Sequence, residues 1–556
     1  MRIERHQVDG ARVAEAREDF VNRIGRQVHS YSRAGLMTTT EWQLISDSFL
    51  DHLGALSTIR PDLHSAEARA VLRDAAAAAA GAVSFAAYYP VDSFHVFLDY
   101  PNFGMSYDRE HGQERDPHHR VTPREWLDAF CLAIVSEQVS AHGEAFGWAR
   151  QLMPDGPATP TLELVDGLLA HVFEDDGVPA TGTAPAADPQ PGLRALRALA
   201  AGDREAFDAA LLALLQDGPQ GTGPASLLPL VPIALAALAY RTHGWAPAVD
   251  TDYLPHALVT GFETAGPRVH AFGRDPRPDA VAALAAGPVH VDRPGPARPY
   301  SPESEARFER RILEAVTAGE GEPLDAWELT GALRYQTYLL AARASECDDA
   351  SDAVIAALRR GSRLGAAVFR AALAEPGTEA EATIDGRTLR FPARRDRDFG
   401  PAFWQTALSF ALISGSPEDL EALVLAGPTI AAEDRSPSAS YRVALHDHLR
   451  GADPRPATER ALKEAERIRE GWLPAPAVLL SQLIGGDATG FDLALLDALE
   501  AHRDHHSVAD RGTEPGAPLS LDVLALACHA RRTRGWVTRV RSPYLPPRLL
   551  EATGRP

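Results

Sequence analysis

Six blocks of residues from the first half of the chain return in the same order in the second half. An internal match of this kind fixes an architecture more firmly than local propensity can. Glu15, Phe20, Arg23, Ile24 and Val28 return as Glu303, Phe308, Arg311, Ile312 and Val316, and Trp42 and Leu44 return as Trp327 and Leu329. Gly81, Phe85 and Ala87 return as Gly365, Phe369 and Ala371. Pro123, Trp126, Ala129, Ala133 and Ser136 return as Pro401, Trp404, Ala407, Ala411 and Ser414. Gly202-Asp203 with Phe207 and Asp208 returns as Gly486-Asp487 with Phe491 and Asp492. Arg241-Thr242-x-Gly244-Trp245 with Tyr253-Leu254-Pro255 returns as Arg532-Thr533-x-Gly535-Trp536 with Tyr544-Leu545-Pro546. Matches between single residues come easily in an Ala-rich chain, but collinear blocks that pair tryptophans do not.

The spacing of apolar residues within the blocks is helical. Apolar side chains recur every three or four residues over 11–34, 39–57, 65–88, 123–140, 160–173, 204–216 and 226–243. Thr122 before Pro123, with Glu125 following, and Ser301 before Pro302 are helix start signals. Strand signals are scarce: Asp385-Gly386 between two short alternating runs predicts one tight hairpin. The expected fold is therefore all-α, two pseudo-duplicated halves of packed helical hairpins stacked as in a solenoid, with at most one small β-hairpin. The first half takes residues 1–263 and the second 301–556, with 264–300 as a linker. Residues 174–192, rich in Pro, Gly and Asp, read as an exposed loop. A chain of 556 residues is long enough for more than one core, in keeping with this division.

Composition excludes several functions. A formal net charge of −21 opposes a sequence-independent grip on nucleic acid, because neutralised phosphates supply most of that affinity. It suits a basic partner, or simply solubility. Cys131, Cys347 and Cys528 are too far apart in sequence for a disulfide framework or a thiolate metal site. No apolar core follows the charged residues of the N-terminus, and the apolar run Ala225–Ala239 is short and carries Pro229 and Pro232. No membrane partner and a cytoplasmic location are expected.

Candidate chemistry is sparse. There is no His-Glu-x-x-His signature and no Gly-x-Ser-x-Gly elbow, and Lys463, the one lysine, does not sit in a phosphate loop. His502, His505 and His506 lie near one helical face, but no fourth ligand accompanies them, so no metal is expected there. His446, His448, His118 and His119 read as solvated side chains. No catalytic residue and no cofactor is assigned, although an unrecognised helical enzyme remains an alternative. The segment 88–108, YYPVDSFHVFLDYPNFGMSYD, stands apart for its density of Tyr and Phe among acidic residues. Its rings either seal a core or present a partner surface, and in the second reading the contacting residues are Tyr88, Tyr89, His95, Asp99, Tyr100, Asn102, Phe103 and Tyr107. The Asp-Gly hairpin around Asp385 takes its place in the second half.

EWQLISDSFLDHLGAL at 41–56, the 88–108 segment and RTRGWVTRVRSPYLPPRLL at 532–550 resemble actinobacterial members of the immunity 49 family, over nearly the whole chain. The resemblance implies an all-helical protein of bacterial polymorphic toxin systems, which protects its producer by binding and neutralising a cognate protein toxin. It carries over no catalytic residue. A basic toxin, a nuclease for example, would suit the acidic chain. The alternative is a helical scaffold or regulator that binds a peptide or protein.

Overall fold

A computed structural model describes residues 2–153, 159–173, 190–218, 221–262, 278–294, 300–317, 326–393, 400–431, 434–465 and 473–552. Two compact units divide it, Met1–Glu263 and Thr264–Pro556. The first unit runs β1 (Arg2–Ile3), α1 (Gly10–Arg17), α2 (Phe20–Ala34), α3 (Thr39–Ser57), α4 (Ala66–Tyr88), β2 (Phe94–Leu98), β3 (Phe103–Tyr107), α5 (Pro123–Val135), α6 (Val139–Gln151), α7 (Pro160–Val172), α8 (Pro191–Ala200), α9 (Arg204–Gln216), α10 (Leu230–His243), β4 (Asp250–Thr251) and α11 (His256–Thr260). The second runs α12 (Pro278–Ala286), β5 (Val289–His290), α13 (Pro302–Thr317), α14 (Ala326–Ala344), α15 (Asp352–Leu373), β6 (Glu379–Ile384), β7 (Arg387–Pro392), α16 (Pro401–Ser414), α17 (Pro417–Ala431), α18 (Ala439–Leu449), α19 (Arg455–Ala465), α20 (Ala477–Gly485), α21 (Ala488–His506), α22 (Leu521–Arg534), β8 (Val540–Arg541) and α23 (Pro547–Ala552). The class is all-α.

Local chemistry sets the helix ends. Thr38 and Thr122 each close a capping box with the glutamate three residues on, Glu41 and Glu125. Asp203 and Asp487 cap α9 and α21, while Gly244 and Gly535 end α10 and α22 in the left-handed conformation at φ 70° and 69°. Two helices read as continuous from the sequence are broken. Positive φ at Asp19 separates α1 from α2, and positive φ at Glu137 separates α5 from α6. Apolar spacing runs through both breaks because the helices on either side face the same core.

The sequence also predicts too few strands. Among the described residues there are two hairpins, β2–β3 and β6–β7, each following a long helix, together with two short parallel pairings, β1 with β4 and β5 with β8. The 88–108 hairpin turns through Asp99–Asn102 without an Asp-Gly signal, with Asn102 at φ 48°, so its density of aromatics masked its strand alternation. Part of the stretch 264–300 read as linker is folded: α12 is a helix, and β5 pairs with β8 inside the second unit. The loop read at 174–192 falls, apart from its last three residues, outside the described residues.

Each unit buries its own aromatic core, with Trp42, Phe49, Phe85, Trp126, Phe130 and Phe146 in the first and Phe369, Phe391, Trp404, Phe410 and Tyr441 in the second. Like contacts recur at paired sequence positions. Trp126 donates its indole N–H to the Phe146 carbonyl at 3.1 Å, and Trp404 donates to the Leu423 carbonyl at 2.8 Å. Arg241 donates to the Ile134 carbonyl at 2.6 Å, and Arg532 to the Leu412 carbonyl at 2.9 Å. Two residues past each tryptophan's acceptor stands an exposed apolar side chain, Trp148 in α6 and Leu425 in α17. Two segments, Ala66–Tyr88 and Pro224–His243, are long and apolar enough to cross a membrane, and 78% and 56% of their apolar windows are buried in the fold.

Candidate functional site

The aromatic hairpin of the first unit was the sequence candidate for a partner surface. It packs onto α4 at Gly81, where a Cβ would come to 3.0 Å from a Val96 methyl, so any larger residue would push the strand outward. Strand alternation then turns Val96, Leu98, Phe103 and Tyr107 inward. Tyr107 is 3% exposed and stacks on Phe94 with ring centres 4.4 Å apart. Phe103 is buried, its ring meeting His29 edge-on. Tyr100 is buried against Phe20 and Phe49 and donates its hydroxyl to Glu67 at 2.6 Å.

The turn is pinned by Asp74 of α4. Its carboxylate accepts the backbone N–H groups of Asp99 at 3.1 Å and Tyr100 at 2.8 Å. Burial pushes the Asp74 carboxyl up to about 7, opposed by those two hydrogen bonds. Tyr88, Tyr89 and Asp99 are half-buried, with Tyr89 stacked on Phe85 and bonded to Glu110 at 2.8 Å. Only His95 and Asn102 of the eight candidate residues are exposed. Tyr100 and Phe103 are therefore core side chains, not surface anchors, because alternation and the Asp74 anchor direct them inward.

The second unit holds a cavity with a polar floor. It measures about 390 Å³ and runs from a surface rim that includes Leu473, Pro515 and Gly516 to that floor, formed by α16, α18 and α22. Asp522, at the start of α22, accepts the Ser409 hydroxyl at 2.8 Å and the Gln405 amide. Arg442 of α18 donates to the Gln405 side-chain oxygen at 2.6 Å, to Ser436 at 2.7 Å and to Asp434. Burial raises the Asp522 carboxyl, with Ser409, Gln405 and Arg442 opposing it. For Asp434 burial acts in the same direction, but the Ser436 and Arg442 bonds outweigh it and hold the group below its ordinary value.

Asp497, His502 and His506 of α21 line the same cavity. His502 packs edge-on to Tyr544 and lies 4.5 Å from the His506 ring, while His506 Nδ1 meets the Arg511 carbonyl at 3.0 Å. Burial, with His506 adding like-charge repulsion, pushes the His502 imidazole down to about 3. His505, His506 and Glu514 bring ligating atoms within 4.8 Å of one another, closer than sequence spacing alone suggested. The cation already at that cluster is Arg511, whose guanidinium lies 3.4 Å from His505 Nδ1. Neither buried thiol is activated: burial raises Cys131, and pushes Cys528 up to about 12.

Sequence reading missed Gln405, Asp434, Arg442, Asp497 and Asp522. The signal lay in differences between the matched halves, since the collinear blocks place apolar Leu127, Cys131, Ala213 and Val231 opposite Gln405, Ser409, Asp497 and Asp522.

No curated protein and no solved structure matches the chain. The family model described as immunity protein 49 matches residues 181–258 and 345–549, together just over half of the chain, and so takes in the cavity floor and α21. The match is narrower than the sequence resemblance, for 41–56 and 88–108 lie outside it. By that match the chain belongs to the immunity protein 49 family.

Proposed function

We propose that the protein neutralises a cognate bacterial toxin by stoichiometric binding in the cytoplasm of the cell that makes both. The observation that carries this reading is the family match, which spans most of the second unit. The chemistry of the buried groups supports a binder over a catalyst. The carboxylates of the cavity floor are tied into hydrogen bonds, the buried thiols of Cys131 and Cys528 are held protonated, and the imidazoles of α21 are kept neutral by burial. A net charge of −21 favours encounter with a basic partner at low salt.

The test is co-expression with the toxin encoded beside this gene, followed by purification of the pair. Rescue of growth together with an equimolar complex is expected. Rescue with no complex, or no rescue at all, would overturn neutralisation by binding.

A further inference from the structure

Buried polar side chains cost free energy unless hydrogen-bonded, so a set of them confined to one of two matched halves calls for a reason. The cavity floor is such a set, with Ser409 and Arg442 buried and Gln405 and Asp522 half-buried. Helices α10 and α22 have the same length and the same glycine cap, and that pairing sets Val231 opposite Asp522. The Trp126–Trp404 pairing sets Leu127 and Cys131, both buried, opposite Gln405 and Ser409. α21 is 19 residues long where α9 has 13, and its added turns carry His502 and His506 into the cavity wall.

The charges in this space do not cancel. Arg442 is balanced by Asp434, to which it is hydrogen-bonded, and both are nearly buried. His502 and His506 are held neutral by burial and contribute no positive charge. Asp522 remains, half-buried on the floor, where its carboxylate accepts from Ser409 and Gln405. Between floor and rim the wall carries aliphatic side chains beside those imidazoles, among them Leu340, Ala498, Leu519 and Val523. The volume falls in the range that takes a small ligand or one large side chain.

We propose that this cavity is the recognition pocket for one basic side chain of the toxin, its aliphatic stem along the apolar walls and its guanidinium or ammonium against Asp522. The proposal rests on the toxin-binding reading for its occupant, and on geometry for its chemistry. A basic side chain held along apolar walls and paired with a half-buried carboxylate is the arrangement of an interface hot spot.

Two measurements test it separately. In the first, the full chain is titrated with butylguanidinium and, as neutral control, 1-pentanol, followed by calorimetry and thermal shift. Saturable binding of butylguanidinium that is lost in both Asp522→Asn and Ala498→Phe, with no comparable binding of pentanol, is expected. Equal binding of the two probes, or butylguanidinium binding that survives Ala498→Phe, would overturn the pocket. In the second, Ala498→Phe, which fills the cavity without removing a polar group, is expected to weaken the toxin complex by about tenfold or more while the melting temperature holds. Unchanged toxin affinity in that variant refutes the pocket and leaves toxin binding intact. A wild-type chain that binds no toxin refutes the parent reading, and the butylguanidinium titration then decides the pocket alone.

Discussion

The indole N–H of Trp42 donates to the hydroxyl of Tyr107 at 2.7 Å, and that hydroxyl donates in turn to the Met37 carbonyl at 2.7 Å. One phenol thus ties the aromatic hairpin to the α2–α3 connection and to the first turn of α3. Replacing Tyr107 by Phe keeps the ring stacked on Phe94 but strands a buried donor and a buried acceptor. The expected cost is about 1–3 kcal/mol. Urea unfolding of the variant should show a lower midpoint with an unchanged slope. Tyr100→Ala and Phe103→Ala, which empty core positions, should cost roughly 3–5 kcal/mol. Toxin affinity should stay at the wild-type value in any of the three that still folds, and a variant that loses affinity while keeping its stability would return the hairpin to the role of partner surface.

Asp74 should give the first unit an unusual response to pH. Its folded pKa is raised to about 7 from an ordinary 3.8, chiefly by burial. Below the unfolded value both states hold the proton, so the contribution to stability is fully present there. As pH rises toward 7 the unfolded chain releases a proton that the native state keeps, and stability is lost through that window by up to about 4 kcal/mol. Asp74→Asn removes the titration. The difference in unfolding free energy between wild type and variant, measured from pH 4 to pH 8, should therefore shift in favour of the variant as pH rises; a difference independent of pH would show that Asp74 is ionised throughout.

The histidines of the second unit should act in the opposite sense. His502 and His505 are pushed down to about 3 and His529 to about 4, each first by burial and then by a neighbouring histidine. A depressed base contributes stability above its unfolded value near 6.5, and that stability disappears as pH falls toward the folded value. Unfolding of the second unit is thus expected to become easier from about pH 6.5 downward, with uptake of more than one proton. His502→Leu should flatten part of this slope in denaturant titrations between pH 7 and pH 4, and an unaltered slope would locate the acid response elsewhere.

How much of this was legible in the sequence depends on what each residue had to reveal. The helix start at Thr122 was readable because a cap is a local matter between a side chain and the next few backbone N–H groups. The breaks at Asp19 and Glu137 were not, since one left-handed residue leaves the apolar spacing on either side intact. The aromatic segment was noticed for its composition, yet its direction of facing depends on Asp74, twenty-five residues from the Asp99 amide that it holds. The cavity floor was hidden for another reason: Gln405, Arg442 and Asp522 come from three helices and share no spacing pattern. Gln405 and Asp522 stand out once set against Leu127 and Val231, their apolar counterparts in the other half. A search for identities passes over such positions, whereas a search for polar departures from a repeat would stop at them.

The cluster of His505, His506 and Glu514 tests whether proximity of ligating groups is enough to make a metal site. Their ligating atoms lie within 4.8 Å of one another, which satisfies the crudest requirement for zinc. Yet His506 Nδ1 is engaged by the Arg511 carbonyl at 3.0 Å, and Glu514 stands 3.6 Å from that same nitrogen. Arg511 also extends its guanidinium toward His505 Nδ1, so a dication entering here would meet a resident positive charge. Protein prepared without a histidine tag should therefore carry no stoichiometric zinc, and added zinc should not raise its melting temperature. Arg511→Ala removes the competing charge and leaves all three ligating side chains in place. If the guanidinium is what keeps the site closed to metal, this variant should gain zinc-dependent stabilisation that His505→Ala then abolishes. Elemental analysis giving one zinc per wild-type chain would show that the cluster is a metal site after all, with Arg511 displaced on binding.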